Sequence, residues 1–298
     1  MKKSHIKNII LFLALIVGID FGLGKIISNN FYTLNYGDYS IINKSLKSDT
    51  EVLVLGSSRA LHHYNPNIIS KSLNLSCYNA GFGGYGVFLN YAILYEKIKV
   101  NSPKIVIIDL SPNIIVDKNA YSKLNLLLPY YKKNSSFKEI IQLNPKFSKL
   151  ELVSNLYIYN STLYDFTRSY FTENNDNNLG FFPLKGKINK GDYSPFFLEK
   201  ENMDENNIDY MNKIINLCKQ NNIRLVGVVS PTYEKFDKEN KIISSLASIF
   251  KNNSFEFYNY SNYSKFYQKP EYFKDQLHLN EFGATIFSTN MAEVIKNK

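Results

Sequence analysis

EVLVLGSSRA, residues 51–60, decides how the rest of the chain is read. Val52 to Leu55 is a short, continuous apolar run closed by Gly56, the pattern of a strand buried on both faces. The chain then turns at Gly56-Ser57-Ser58-Arg59. A helix is expected soon after, because Asn65 can cap it and Pro66 suits its first turn. Strand, tight turn and helix present a side chain at the carboxyl end of a sheet. A serine placed there has an exposed hydroxyl with backbone N–H groups beside it. Two serines in a loop are, by themselves, only a polar turn; their weight comes from what lies further along the chain.

Four more strands follow. Residues 76–79 form a short one that runs into Ala80-Gly81-Phe82-Gly83-Gly84, where the small residues imply close backbone approach or positive φ. KIVIIDL, residues 104–110, is a parallel-type buried strand ending at Ser111-Pro112-Asn113. IRLVGVVS, residues 223–230, is another, followed by Pro231-Thr232-Tyr233. Residues 255–260 give the last. Helices are expected over 87–99, along the face of Ile208, Met211, Ile214, Ile215 and Cys218, over 237–251, and over 281–295 with Asn280 as cap. This alternation predicts an α/β fold: a three-layer α/β/α sandwich with a mostly parallel sheet and right-handed crossovers, flavodoxin-like in type.

Between about 114 and 200 the periodicity degrades into a stretch rich in Tyr, Phe, Leu, Asn and Lys. It is too long for a structureless loop and reads as a partly helical, aromatic-rich insertion. It is expected over the carboxyl edge of the sheet as a lid or groove wall. Its aromatics either stack on sugars or build a small core of their own.

At the N-terminus, Lys2, Lys3 and Lys7 precede an uncharged run, Ile9 to Ile19. Residues 1–27 read as an uncleaved membrane anchor or, alternatively, a cleaved signal segment. Both readings leave the lysines inside and the remainder extracytoplasmic: a single-pass cell-membrane protein, or one secreted or periplasmic after cleavage. Residues 28–50 read as a linker, and 51–298 as the folded domain carrying the insertion.

The composition narrows the function classes. A 44% apolar fraction in 298 residues excludes global disorder. The net charge of +9 comes from scattered lysines without a basic run, so no nucleic-acid partner is expected. Attraction to an anionic membrane or polymer surface is compatible with it. Cys77 and Cys218 read as buried free thiols, and the four histidines lack metal-ligand spacing. No metal or cofactor is expected.

In a parallel sheet the loops after successive strands converge on one crevice. Here those loops carry Ser57-Ser58, the glycine cluster ending at Gly84, Asn113, and Asp275-Gln276-Leu277-His278. A serine hydroxyl needs a base to take its proton. His278 is a suitable base, and Asp275 can fix its tautomer and stabilise the imidazolium. The backbone amides of Ser58 and Gly84 with the side-chain amide of Asn113 could hold an oxyanion. Arg59, Phe82 and Tyr233 are further candidates for substrate contact, with a salt bridge beside the sheet as the other reading of Arg59. His62 and His63 read as polar residues of a helix start, Asn79 as a turn former and Ser230 as structural.

These residues, in this order, resemble the SGNH/GDSL hydrolase superfamily. Gly56-Ser57-Ser58 stands where the family has Gly-Asp-Ser, which maps the nucleophile to Ser58. Asn79-Ala80-Gly81-Phe82-Gly83-Gly84 matches the block that supplies an oxyanion glycine, mapped to Gly84. Ser111-Pro112-Asn113 keeps the family's Asn but not its Gly, and Asp275 to His278 matches Asp-x-x-His. The resemblance covers about 50–113 and 204–297. It implies acyl-ester chemistry through an acyl-enzyme on Ser58. With serines at 57 and 111, the chain looks like membrane-anchored members that act on acyl groups of cell-surface polysaccharides. The implied partners are an acylated carbohydrate or other small ester, the membrane, and a membrane acyl donor if the reaction is a transfer. The rival classes are a non-catalytic carbohydrate-binding or assembly protein on the same fold, a lipid esterase, and a flavodoxin-like binding module.

Overall fold

The computed structural model describes residues 3–116, 120–144, 146–147, 149–171, 178–189, 203–233 and 241–298. The chain divides into two compact units, one made of residues 1–43 and 121–175 and the other of 44–120 and 176–298.

The larger unit is built on five strands: β1 (Val52–Leu55), β2 (Cys77–Asn79), β3 (Ile105–Asp109), β4 (Arg224–Val229) and β5 (Glu256–Asn259). All pair parallel, in the order β2-β1-β3-β4-β5. That is the doubly wound order whose crevice lies where the winding reverses, between β1 and β3. Every residue of β1, β2 and β3 is buried, which explains why their sequences run apolar without alternation. Val52, Val54, Ile107, Val226 and Val228 share one core with Ile69 of the Pro66–Leu73 helix and with Ala284, Phe287 and Met291 of the Glu281–Lys296 helix. The Val87–Val100 and Glu205–Gln220 helices meet through Phe88, Tyr91 and Tyr210, with ring centroids 4.8 and 5.1 Å apart.

The predicted caps are in place. Asn65 accepts from the Asn67 N–H at 3.0 Å, and Asn280 from the Gly283 N–H at 2.9 Å. One local difference concerns the site. A separate short helix, Ser58–His63, starts at Ser58 itself, before the expected helix.

The smaller unit holds the Lys3–Asn30 helix, which is long and apolar enough to cross a membrane, and the short helices Ser135–Ile141, Asn155–Tyr159 and Leu163–Phe171. The linker expectation for 28–50 is not what forms. A turn at Phe31–Thr33 leads into the Gly37–Lys47 helix, and Phe31, Leu34, Tyr39 and Ile42 are buried. Phe31 packs edge-on against Tyr39 and Tyr130, and Tyr130 stacks on Phe137 at 4.5 Å. These insertion aromatics therefore build a core of their own. Residues 190–202 of the insertion and 234–240 of the predicted helix lie outside the described residues.

Candidate active site

β1 delivers Ser58 to the carboxyl edge of the sheet, and a hairpin-like loop delivers its partners. That loop is closed by an antiparallel bridge between Phe273 and Leu279 and by the Lys274 N–H donating to the His278 carbonyl at 2.9 Å. Inside it, Asp275 Oδ1 accepts the N–H groups of Leu277 and His278, both at 2.9 Å. The carboxylate also faces His278 Nδ1, with each oxygen at 3.0 Å. The other ring nitrogen, Nε2, lies 2.8 Å from Ser58 Oγ. A proton on Nδ1 is fixed by the carboxylate, so Nε2 is the lone-pair nitrogen and the Ser58 hydroxyl donates to it. Burial on its own would raise the Asp275 carboxyl, but the His278 hydrogen bond and charge and the two backbone N–H groups hold it below the ordinary value. Asp275 is therefore ionised at neutral pH.

The loop's position depends on His63, which had no role in the expected site, and on the backbone of Tyr233. His63 is fully buried, and its Nε2 accepts the Leu279 N–H at 2.9 Å, one residue beyond His278. Its Nδ1 therefore carries the proton and donates to Ser230 Oγ at 2.9 Å. Burial, followed by the Arg59 charge, pushes the His63 imidazole well below the ordinary histidine value, which keeps it neutral. The Tyr233 N–H donates to the Gln276 carbonyl at 3.0 Å and holds the loop from the other side.

Three candidates for substrate contact are in fact packed inside. Arg59 is 2% exposed. Its guanidinium donates to Ser230 Oγ from Nε and Nη2 at 3.0 and 2.8 Å, also reaches the Ser230 carbonyl, and lies 3.7 Å from Asp109 Oδ1. Asp109 Oδ2 accepts from the Tyr64 hydroxyl at 2.7 Å. The salt-bridge reading is the one that matches. Phe82 is buried against Tyr85, and Tyr233 against Phe273. Large apolar rings beside a parallel sheet go into its core, and residue type alone does not separate that from pocket lining.

Asn79 does more than form a turn. Its side-chain oxygen accepts the Gly81 N–H at 2.9 Å, and its amide donates to the carbonyls of Ala60 and Tyr64 at 2.7 and 2.8 Å. The glycine loop is thereby tied to the helix that carries Ser58. Gly83 and Gly84 are exposed, and a side chain at Gly83 would point its first carbon at Ser58 Cβ. Gly84 adopts a φ of 78°, in the region that favours glycine. Asn113 is the second residue of a one-turn helix, Pro112–Ile115, and its side chain lies outside the described residues.

Two surface elements of the site are not evident from the sequence. His62 sits four residues after Ser58, on the same helix face, and its ring lies 5.4 Å from that of His278. Its Nδ1 donates to the Phe182 carbonyl at 2.7 Å. Phe182 itself is exposed and edge-on to His62. The segment holding it runs along the site: the Asn79 N–H donates to the Leu179 carbonyl, the Phe182 N–H to that of Leu61, and the Ile188 N–H to that of Phe273. Within the larger unit, this extended strap is the part of the expected insertion that runs beside Ser58 and His62. The spacing of His62 from Ser58 was the one available signal.

No family profile matches the sequence, and no curated protein does. Solved structures to which the chain is similar include a GDSL-like lipase from Bacteroides thetaiotaomicron VPI-5482, at 13% identity over 83% of this chain and 87% of that one, with a TM-score of 0.41. A proposed acylhydrolase from Bacteroides fragilis NCTC 9343 is similar at 14% identity over 84% and 88%, with a TM-score of 0.42. A proposed lipolytic protein of the G-D-S-L family from Desulfitobacterium hafniense DCB-2 is similar at 10% identity over 83% and 99%, with a TM-score of 0.41. These descriptions are those proteins' own.

Proposed function

We propose that the protein is an SGNH-type serine ester hydrolase or O-acyltransferase, anchored by its N-terminal helix and acting on acylated cell-surface carbohydrate. The observation that carries the chemistry is the continuous chain from Asp275 through His278 to Ser58, with every link at 2.8–3.0 Å. Ser58 Oγ attacks the ester carbonyl carbon while His278 Nε2 takes its proton. Asp275 stabilises the imidazolium through Nδ1–H. The negative charge that develops on the carbonyl oxygen goes to the backbone N–H groups of Ser58 and Gly84, with the Asn113 amide completing the set. One such donor is worth about 3 kcal/mol in the transition state. Collapse breaks the ester C–O bond, the alcohol leaves with the proton from His278, and an acyl-Ser58 ester remains. Water then gives the acid, or a sugar hydroxyl gives a new ester. Exposure of Phe182 beside His62 offers an aromatic face for a sugar ring.

A fluorophosphonate probe on the full chain in detergent micelles, read by peptide mass spectrometry, tests this. The expected result is a label on Ser58 that is lost in His278→Ala. A folded protein that takes no label on Ser58 would mean that the site binds without turning over, the non-catalytic class. Asp275→Asn should lower kcat by about 10³–10⁴-fold through the lost tautomer control, measured on a small acetyl ester.

A further inference from the structure

The anchor reading raises a problem of length. The uncharged run of residues 8–19 rises only about 18 Å as a helix, against a hydrocarbon core about 30 Å thick. It ends at Asp20. If the bilayer ended there too, the exposed Phe21, Leu23 and Ile26 would stand in water on the same helix.

Asp20 does not face outward, however. Its carboxylate accepts the N–H groups of Asn155 and Leu156 at 3.0 and 2.9 Å and the Ser154 hydroxyl at 2.7 Å. Lys132 reaches the same corner, donating to the Val153 carbonyl at 2.8 Å and to Asn155 Oδ1 at 2.6 Å. Asp20, Gly24 and Ile27 follow a helical repeat and line one face; Gly24 and Ile27 are buried. Gly24 allows the contact, because a β-carbon there would collide with the Asn155 side chain. The opposite face stays apolar and exposed as far as Ile26, so residues 8–26 give a rise of about 28 Å. That length spans the hydrocarbon, but only if the bilayer also surrounds the corner that holds Asp20. Charged side chains at membrane depth face protein partners in this way.

We infer that residues 153–156 enter the membrane interface beside the Lys3–Asn30 helix, so that the bilayer contacts a helix and a corner of the smaller unit together. The inference rests on the anchor reading. Val153, immediately before the corner, is 63% exposed, a position where an apolar side chain meets lipid. Lys25 and Lys133 lie on the same unit, where their ammonium groups suit the headgroup layer.

The chain contains no tryptophan, so a single introduced one reports alone. Full-length Val153→Trp and, separately, Leu13→Trp are reconstituted into vesicles of phosphatidylcholine and phosphatidylglycerol, with and without bromine on the acyl chains. Expected is a loss of Val153→Trp emission in brominated lipid comparable to that of Leu13→Trp, together with protection from iodide. Loss in Leu13→Trp alone, with Val153→Trp open to iodide, overturns the inference and leaves the anchor intact. Val153→Trp that is protected from iodide yet unquenched by brominated lipid assigns the face to a protein contact and also overturns it. No loss in either variant removes the anchor reading and this inference with it.

Discussion

Arg59 and Asp109 form a buried ion pair beside the sheet. A buried cation 3.7 Å from a buried carboxylate costs far more to break than to keep, because the remaining charge has no water. Arg59→Met should therefore destabilise the fold by about 3–5 kcal/mol, seen as a lowered urea midpoint. A substrate-contacting arginine would instead raise KM with the midpoint unchanged. His63 gives a pH signature. Its folded pKa is depressed, so the unfolded chain binds the extra proton first. Its contribution to stability is complete above about pH 6.5 and declines as pH falls from there toward the folded value. Tm should drop over that window, and less so in His63→Gln, whose amide can still accept from Leu279 and donate to Ser230. An unchanged slope in His63→Gln would move the effect to another group, His62 being the nearest with a lowered pKa. At this scale the meeting of Ser58, His278 and Asp275 was legible because Asp-x-x-His and a serine after the first strand are local patterns. A salt bridge at Arg59 could also be read, but not its partners, since both Asp109 and Ser230 arrive from other strands.

Among the elements, the strands were readable to within a residue or so; for β1 and β3 the reason is that a strand buried on both faces leaves an unbroken apolar run. The strap over 178–189 left no such mark. It is extended but pairs only through isolated backbone bonds, and its sequence has neither period. Gly180 is its fixed point: φ is +83°, and a β-carbon would lie on the Asn79 carbonyl oxygen. Gly180→Val should free the strap from β2, at a cost of roughly 1–3 kcal/mol in backbone strain alone. Hydrogen exchange at Asn79, whose N–H is held by Leu179 at 2.9 Å, should rise in the variant; protection equal to wild type would place the strap's anchor elsewhere. The helices of the smaller unit were hidden for another reason. Several are only five to nine residues long, below the length at which amphipathic periodicity can be counted, and tertiary packing holds them.

For the whole molecule, the division into units was not legible, because it brings together residues 1–43 and 121–175 across a gap in the chain. Removing residues 1–28 would take away Asp20 and Ile27. The Asn155 and Leu156 amides should then exchange about ten-fold faster, for a carboxylate at the helix start worth about 1.4 kcal/mol. Unchanged protection there would mean that the Asn155–Tyr159 helix, capped by Ser154, holds without Asp20. Ser58 and His278 are 220 positions apart, and that distance has a meaning in time. At about 5–20 residues per second of synthesis, the serine leaves the ribosome roughly 10–40 s before its base. Through that interval the nascent chain carries an unactivated alcohol that cannot acylate itself on passing esters. On the proposed chemistry, competence waits for the segment that carries Asp275 and His278, so a product that stops before it holds Ser58 without its proposed base.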